Sequence, residues 1–403
     1  MDPIPASSPW IERATRIGDG LLDTARSLAD GSLSWERGYG VDFSAVEDAG
    51  IFNGRIGEGL FLAALHAATG EPRFAAAARR AIEPLRAGLP DPGYRATLVR
   101  RIGLGLTGVG SVVYAFLRIG DFLRDPALRE AARAAASAVT EEAVGADAQY
   151  EVFWGTAGAL LGLMALADAE GAGVNGAVHR CAEHLLAHRV ADPESGRLAW
   201  ATFEPAPVAG FAHGSTGIAH ALLQLHRREP DPRLYDAVME AFAFERTVYR
   251  EDINEWPDAR GQEERILSAW CHGSGGIGFS RLSALGLARG EDDAAIADDL
   301  LKALRKVNTR KLLPWDNLCC GNFGRIDLLL TAGLRLGNPS LCDVARVIAR
   351  LCVERAGEGS FRIPGEEEGP QFTPGLWQGE PGIGYTLLRL AAPERFPSLL
   401  VFE

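Results

Sequence analysis

The chain reads as an all-α protein, an (α/α) toroid in which seven glycine-led inner helices are wrapped by an outer ring of amphipathic helices. Three observations predict this. A G-x-x-G followed by an apolar helical run occurs seven times, the copies run from one end of the chain to the other, and a more polar stretch separates each copy from the next.

The copies begin at Gly54, Gly105, Gly155, Gly214, Gly273, Gly321 and Gly379, at separations of 51, 50, 59, 59, 48 and 58 residues. Each interval has room for two helices and two loops. The stretches between copies are Phe74 to Leu89, Leu128 to Val139, Val174 to Arg189, Leu234 to Phe244, Asp292 to Lys306 and Leu341 to Glu354. In them Arg, Glu and Asp interleave with Ala, Leu and Val at helical spacing, giving one apolar face and one wet face. The glycine-led runs are apolar nearly all round, as buried helices are. Alternation of the two kinds implies an inner ring inside an outer one. Residues 1–40 read as an N-terminal helical extension and residues 41–403 as the toroid.

A length of 403 residues usually means two or three domains, but one repeating unit that closes on itself absorbs it. The hydrophobic share of 47% supplies a large core. A formal charge of -12 argues against a nucleic-acid partner, which needs clustered Lys and Arg. Met1 to Pro9 lacks the basic and apolar segments of a signal peptide, and the leucine-rich runs are broken before membrane-spanning length. The expectation is a soluble, cytoplasmic protein with no membrane span. Six cysteines are too few for a disulfide scaffold, and the adjacent Cys319 and Cys320 are poorly placed to bridge each other. Metal binding or catalysis is the use left to test.

The paired glycines have two readings. They leave unobstructed N–H groups at the helix starts, pointing into the ring and favouring anions or thiolates, or they only let the helices pack closely. The residues just before each copy would stand at the mouth of the ring. They are Phe52-Asn53, Gly103-Leu104, Phe153-Trp154, Ala212-His213, Cys271-His272, Cys319-Cys320 and Trp377-Gln378. Three consecutive copies therefore supply three cysteines and two histidines in equivalent register. Zinc takes thiolate and imidazole ligands, and a catalytic site keeps one of its four positions open. Cys271, Cys319 and Cys320 make a three-thiolate set with that position free. Cys181, Cys342 and Cys352 fall in the amphipathic stretches and read as packing residues. His66, His179, His184, His188, His220 and His226 lie off the rim and read as surface or satisfied core histidines.

The motifs GFAHGSTGIAHAL, WCHGSGGIG, CCGNFG and WQGEPGIGY, with the seven glycine pairs, resemble the lanthionine synthetase C-like cyclases over about Val41 to Leu390. The resemblance implies an (α/α) toroid with zinc at the inner-helix rim. It also implies an enzyme that adds a peptide cysteine thiol to a dehydroalanine or dehydrobutyrine. Cys271 and Cys319 match the family's cysteine ligands. Cys320 stands where many members have histidine, so the chain resembles the Cys-Cys-Gly subgroup. His213 matches the catalytic histidine, and Glu151 lines up with the family's aspartate. A basic residue common four positions before the first ligand is replaced by Leu267, with Arg265 nearby.

The chemistry this implies starts from charge. Three thiolates leave zinc less electrophilic but keep a substrate thiolate more nucleophilic. His213 protonates the enolate or first takes the thiol's proton. Glu151 either orients His213 or is an exposed helix-start carboxylate, and His272 is either a second acid or a rim residue. The implied partners are a dehydrated precursor peptide and a separate dehydratase, unless the chain is an excised domain, because Met1 to Gly40 is too short to hold a dehydratase. Two other readings are an enzyme that adds glutathione to dehydroamino acids in proteins and a non-catalytic, zinc-stabilised peptide-binding ring. Closed structural zinc sites use four protein ligands, which counts against the second. Prenyltransferase-like rings lack these glycine motifs, and toroidal glycosidases need paired rim carboxylates.

Overall fold

The computed structural model describes residues 4, 7–36, 47–171, 176–259, 267–287, 290–364 and 372–403. The boundary expected at residues 40 and 41, and Arg265, lie outside them. The helices are α1 (Pro9–Asp23), α2 (Arg55–Thr69), α3 (Pro72–Gly88), α4 (Pro92–Ile102), α5 (Val109–Leu123), α6 (Ala127–Ala136), α7 (Glu141–Gly145) and α8 (Thr156–Glu170). They continue as α9 (Gly176–Ala187), α10 (Ser215–Arg228), α11 (Pro232–Thr247), α12 (Ser274–Ala284), α13 (Glu291–Val307), α14 (Asn322–Arg335), α15 (Pro339–Ala356) and α16 (Glu380–Ala391). Strands are confined, among the described residues, to two short antiparallel pairs, Arg26–Ser27 with Leu33–Ser34 and Val190–Ala191 with Leu198–Ala199.

Seven helices form the inner ring. α2 packs on α5, α5 on α8, α8 on α10, α10 on α12, α12 on α14, α14 on α16, and α16 back on α2. The ring is therefore closed. Each inner helix pairs with an outer one: α3, α6, α9, α11, α13 and α15 cover the first six, and α1 covers α16. The segment expected as an N-terminal extension thus supplies the outer helix of the seventh pair. Apolar burial explains the layering. α8 buries every residue from Thr156 to Ala167, whereas α6 buries only Leu128, Ala131, Ala132 and Ala135, one stripe at helical spacing. Several helices outside the inner ring start on a proline behind a capping side chain. Asp91, Asp231 and Asn338 accept backbone N–H groups of the first turn, and Pro92, Pro232 and Pro339 follow them.

The inner N-caps are Gly54, Gly108, Gly155, Gly214, Gly273, Gly321 and Gly379. Six of these were expected; the second copy is a correction. There the cap is Gly108, because Gly103 takes a left-handed φ of 74° and turns Gly105 into the loop before the helix. The residues preceding that cap are therefore Leu106 and Thr107, not Gly103 and Leu104. The spacing G-x-x-G could not separate the two registers, since GLGLTGVG contains glycines at 103, 105, 108 and 110.

The second glycine of the motif has a steric cause. A Cβ at Gly158, Gly217, Gly276, Gly324 or Gly382 would fall onto the carbonyl oxygen six residues earlier, at Val152, Phe211, Trp270, Leu318 and Leu376. The loop before each helix folds over the helix's first turn. Its carbonyls take the early N–H groups, as in Ser215 N–H to Val208 O (2.9 Å), Gly276 N–H to Ala269 O (3.0 Å) and Asn322 N–H to Trp315 O (3.0 Å). This overturns the reading in which those N–H groups stand unobstructed for anions. The glycines serve close packing.

Candidate active site

The loops that lead into the inner helices are tied to one another by a belt of backbone hydrogen bonds. Residues two before each cap bond in sequence: Phe153 N–H donates to Ala212 O (3.1 Å), Ala212 to Cys271 O (3.2 Å), Cys271 to Cys319 O (3.4 Å), Cys319 to Trp377 O (3.2 Å) and Trp377 to Phe52 O (2.9 Å). Thr107 N–H donates to Phe153 O (3.0 Å), and Ile51 N–H donates to Ser111 Oγ at the remaining junction. Cys271 and Cys319 are therefore neighbours on the belt. His213, His272 and Cys320 occupy the next position of three consecutive loops.

The three thiols converge. Hydrogen bonding to Cys271 and Cys320, together with burial, pushes the Cys319 thiol well above its ordinary value. Cys320 moves the other way, to about 7, because Cys319 and Asn317 donate to its sulfur. Asn317 Nδ2 lies 3.6 Å from Cys320 Sγ, and Asn317 is fully buried. Among the described residues, no three His, Cys, Asp or Glu side chains already stand at metal-holding geometry. What the belt assembles is three thiols with Cys319 in contact with each of the other two, a set whose donor chemistry suits a thiophilic ion once the protons are displaced.

Beside the thiols stand the two histidines. His213 and His272 stack with ring centroids 5.4 Å apart and planes 13° apart. His213 Nδ1 is 3.0 Å from Glu151 Oε2, and the other oxygen of that carboxylate accepts the Trp154 N–H at 3.2 Å. Glu151 is fully buried rather than exposed, and the His213 side chain is 12% exposed. His272 is buried, with Nδ1 3.3 Å from Ala209 O and 3.5 Å from Asp258 Oδ1. Phe153 and Phe203 pack on the His213 ring at 4.7 and 5.2 Å. Trp154 and Phe203, each 40% exposed, continue this aromatic wall outward.

Four supporting residues escaped the sequence reading. Asp147 holds the loop that presents Glu151, accepting from the N–H groups of Gln149, Tyr150 and Thr156 and from the Thr156 hydroxyl. The buried Glu255 does the same for the Cys271 loop, accepting from Ser274 N–H (2.7 Å), Ser274 Oγ, Trp256 N–H and Ser268 Oγ. That loop also needs Gly273 at a φ of 94°, a conformation costly for any residue with a Cβ. Asp258 and Asn317 are the other two. Asp147 alone carried a signal, an acidic residue shortly before a glycine copy. The others come from long loops with no period to betray them.

The off-rim residues sit as packing elements. Cys181, Cys342 and Cys352 are buried in the outer helices, and burial pushes the Cys181 thiol up to about 12. His184 and His188 brace Tyr150, whose ring stacks on His188 at 5.0 Å. Leu267 is half-buried against the core.

The chain is thus a closed ring of seven helical hairpins with thiols and a histidine–carboxylate pair at one rim. It belongs to the family described as lanthionine synthetase C-like protein, whose sequence model matches residues 45–401. Among solved structures it is similar to one titled nisin cyclase, with a TM-score of 0.64 and 16% identity over 89% of this chain and 93% of that one. Weaker likenesses are a sugar epimerase from a ruminal bacterium (TM-score 0.45, 12% identity, 95% and 98% covered) and the cellobiose 2-epimerase of Bacillus thermoamylovorans B4167 (TM-score 0.42, 10% identity, 95% and 99% covered). No curated protein sequence matches the chain. Among the described residues no helix is long and apolar enough to cross a membrane.

Proposed function

We propose that this chain is a zinc-dependent lanthionine or methyllanthionine cyclase, which joins a cysteine thiol of a dehydrated precursor peptide to a dehydroalanine or dehydrobutyrine of the same peptide. The observation that carries the reading is that Cys271 and Cys319 are consecutive on the belt, with Cys320 next to Cys319, beside the His213–Glu151 pair. Family membership supports it. One zinc ion held by the three cysteines would supply the positive charge that lowers the pKa of an incoming peptide thiol.

The chain's own residues manage the proton. The sulfur–carbon bond forms at the β-carbon of the dehydro residue, the π pair moves to give an enolate, and the α-carbon takes up a proton. The thiol proton lost equals the proton gained, so the addition needs no oxidant or reductant. His213 is the group assigned to that transfer. Glu151 on Nδ1 fixes the ring's tautomer and orientation and favours the imidazolium that appears between the two halves of the transfer. Phe153, Trp154 and Phe203 offer apolar surface to the peptide beside the imidazole. A dehydratase acting earlier on the same peptide supplies the dehydro residues. All six cysteines are free thiols, which fits a reducing compartment, and we assign the cytoplasm.

The test is incubation of the purified protein with a dehydrated, cysteine-containing peptide, followed by maleimide labelling and mass measurement. Protein-dependent loss of peptide thiol at unchanged peptide mass is the expected result. Thiol that persists at the rate seen without protein would overturn the proposal.

A further inference from the structure

At the rim beside His213 lies a cavity of about 1000 Å³, walled by two helices that the other hairpins lack. α4 follows the first outer helix and α7 follows the second. Among the described residues, the later outer helices are followed by a two-residue-strand hairpin or by loops. α4 packs on the turn at Glu47–Ala49 and on α5, α7 packs on α9, and the two helices together wall this part of the rim into a cleft.

The floor and sides of the cleft are apolar: Phe52, Ala96, Val99, Ile102, Leu104 and Trp154 line it. Trp154 is shared with the active site, its ring 6.1 Å from that of His213. Trp154 therefore borders both His213 and the cleft. The charge on its wall runs against that of the molecule. α4 carries Arg95, Arg100 and Arg101 and no acidic residue from Pro92 to Ile102, in a chain whose formal charge is -12. Arg100 and Arg101 are exposed. Of the two acidic residues that line the cleft, Asp147 is engaged by four donors of its own loop, and Glu142 lies on the opposite helix α7.

We infer that this cleft binds a segment of the peptide substrate that lies outside the ring being closed and carries an acidic side chain next to an apolar one. The inference rests on the cyclase reading for what arrives at His213. The apolar side chain fills the space between Val99, Leu104 and Trp154, and the carboxylate meets the α4 arginines. Charge complementarity on one wall makes the interaction selective for acid and sensitive to salt. A cavity of this size takes several side chains and none of the thiols lines it, so the cleft contributes affinity for the chain rather than recognition of the reacting residues.

The probe is a fluorescein-labelled synthetic peptide of about ten residues with a central Leu-Glu-Leu-Glu sequence and neither cysteine nor dehydro residues. A second peptide has Gln in place of Glu. Anisotropy titrations are made with the wild-type protein and with the Arg100→Ala/Arg101→Ala variant, each at low and high salt. The expected result is that the Glu peptide binds the wild-type protein at least about tenfold more tightly than the Gln peptide, as a pair of charge-assisted contacts implies. That difference should disappear in the variant and shrink at high salt. Equal binding of the two peptides by the wild-type protein would overturn the inference, as would an undiminished preference in the variant. So would a variant whose only change, by sedimentation, is weaker self-association, because the wall would then be a contact between copies of the chain. None of these readouts requires turnover. Failure of the cyclase assay and failure of this binding assay are therefore separate results.

Discussion

The Glu151 carboxylate gives one oxygen to the Trp154 N–H and the other to His213 Nδ1, so a change there reaches the imidazole without emptying the site. On the proposed mechanism, His213→Asn removes the group assigned to proton transfer and none of the three thiols. It should retain zinc and lose about 10²- to 10⁴-fold in cyclisation rate. Glu151→Gln should lose less, because the imidazole keeps a hydrogen-bonding partner on Nδ1 and loses only the carboxylate's charge. Metal content and cyclisation rate on the same preparations decide it, and a Glu151→Gln variant as fast as wild type would leave the carboxylate a purely structural role. A second buried imidazole makes a stability prediction. Burial holds His220, on α10 with its ring 5.1 Å from that of Phe211, down to about 3. The unfolded chain binds this proton near pH 6.5 and the folded chain does not, so stability is full above that pH and is lost as pH falls toward 3. The loss attributable to His220 approaches roughly 5 kcal/mol at the bottom of that window. Urea midpoints of wild type and His220→Gln, compared at pH 7 and pH 4.5, should converge on acidification, and parallel midpoints would contradict the assignment. At this scale the rim residues were legible because seven copies fixed their register. Asp258, Glu255 and Asn317 were not, since a loop that folds back over a helix start leaves no periodic trace.

For a single inner helix, the second glycine of its motif is the position with least freedom. In α12 a methyl group on Gly276 would land on the Trp270 carbonyl, next to the loop that carries Cys271. Gly276→Ala should therefore destabilise the protein by about 1 to 3 kcal/mol, the usual cost of overpacking, and should lower thiol turnover by displacing Cys271. Gly145→Ala is the matched control: nothing lies within 4 Å of that Cβ position. It should be neutral or stabilise by up to about 1 kcal/mol, the helix propensity difference. Thermal melts of the two variants, each against wild type, test the contrast. Equal shifts would mean that the loop yields and the glycine is not needed. The same steric rule explains the second copy. Its helix starts at Gly108 and has Ser111 where the others have glycine, and that serine hydroxyl meets Ile51 of the first loop. Residue type alone could not show this, because the glycine at 105 satisfies the spacing equally well.

Across the whole molecule, the alternation of all-round apolar and amphipathic segments was enough to give the ring and its two layers, since each pattern has only one place to be buried. What it could not give was the closure. An odd inner helix at the C-terminal end needs an outer partner, and that partner comes from the other end of the sequence. α1 packs on α16, where Ile17 approaches Gly384. Closure in turn sets the belt, and the belt brings Cys271, Cys319 and Cys320 together from two hairpins with His213 from a third. The three-cysteine site is tested most directly by zinc content and peptide-thiol consumption on the same preparations of wild type, Cys271→Ala, Cys319→Ala and Cys320→Ala. The wild-type chain should hold about one zinc, and each alanine variant should lose zinc and turnover together while its helical circular dichroism is unchanged. A variant that keeps both its zinc and its turnover would contradict the three-cysteine site.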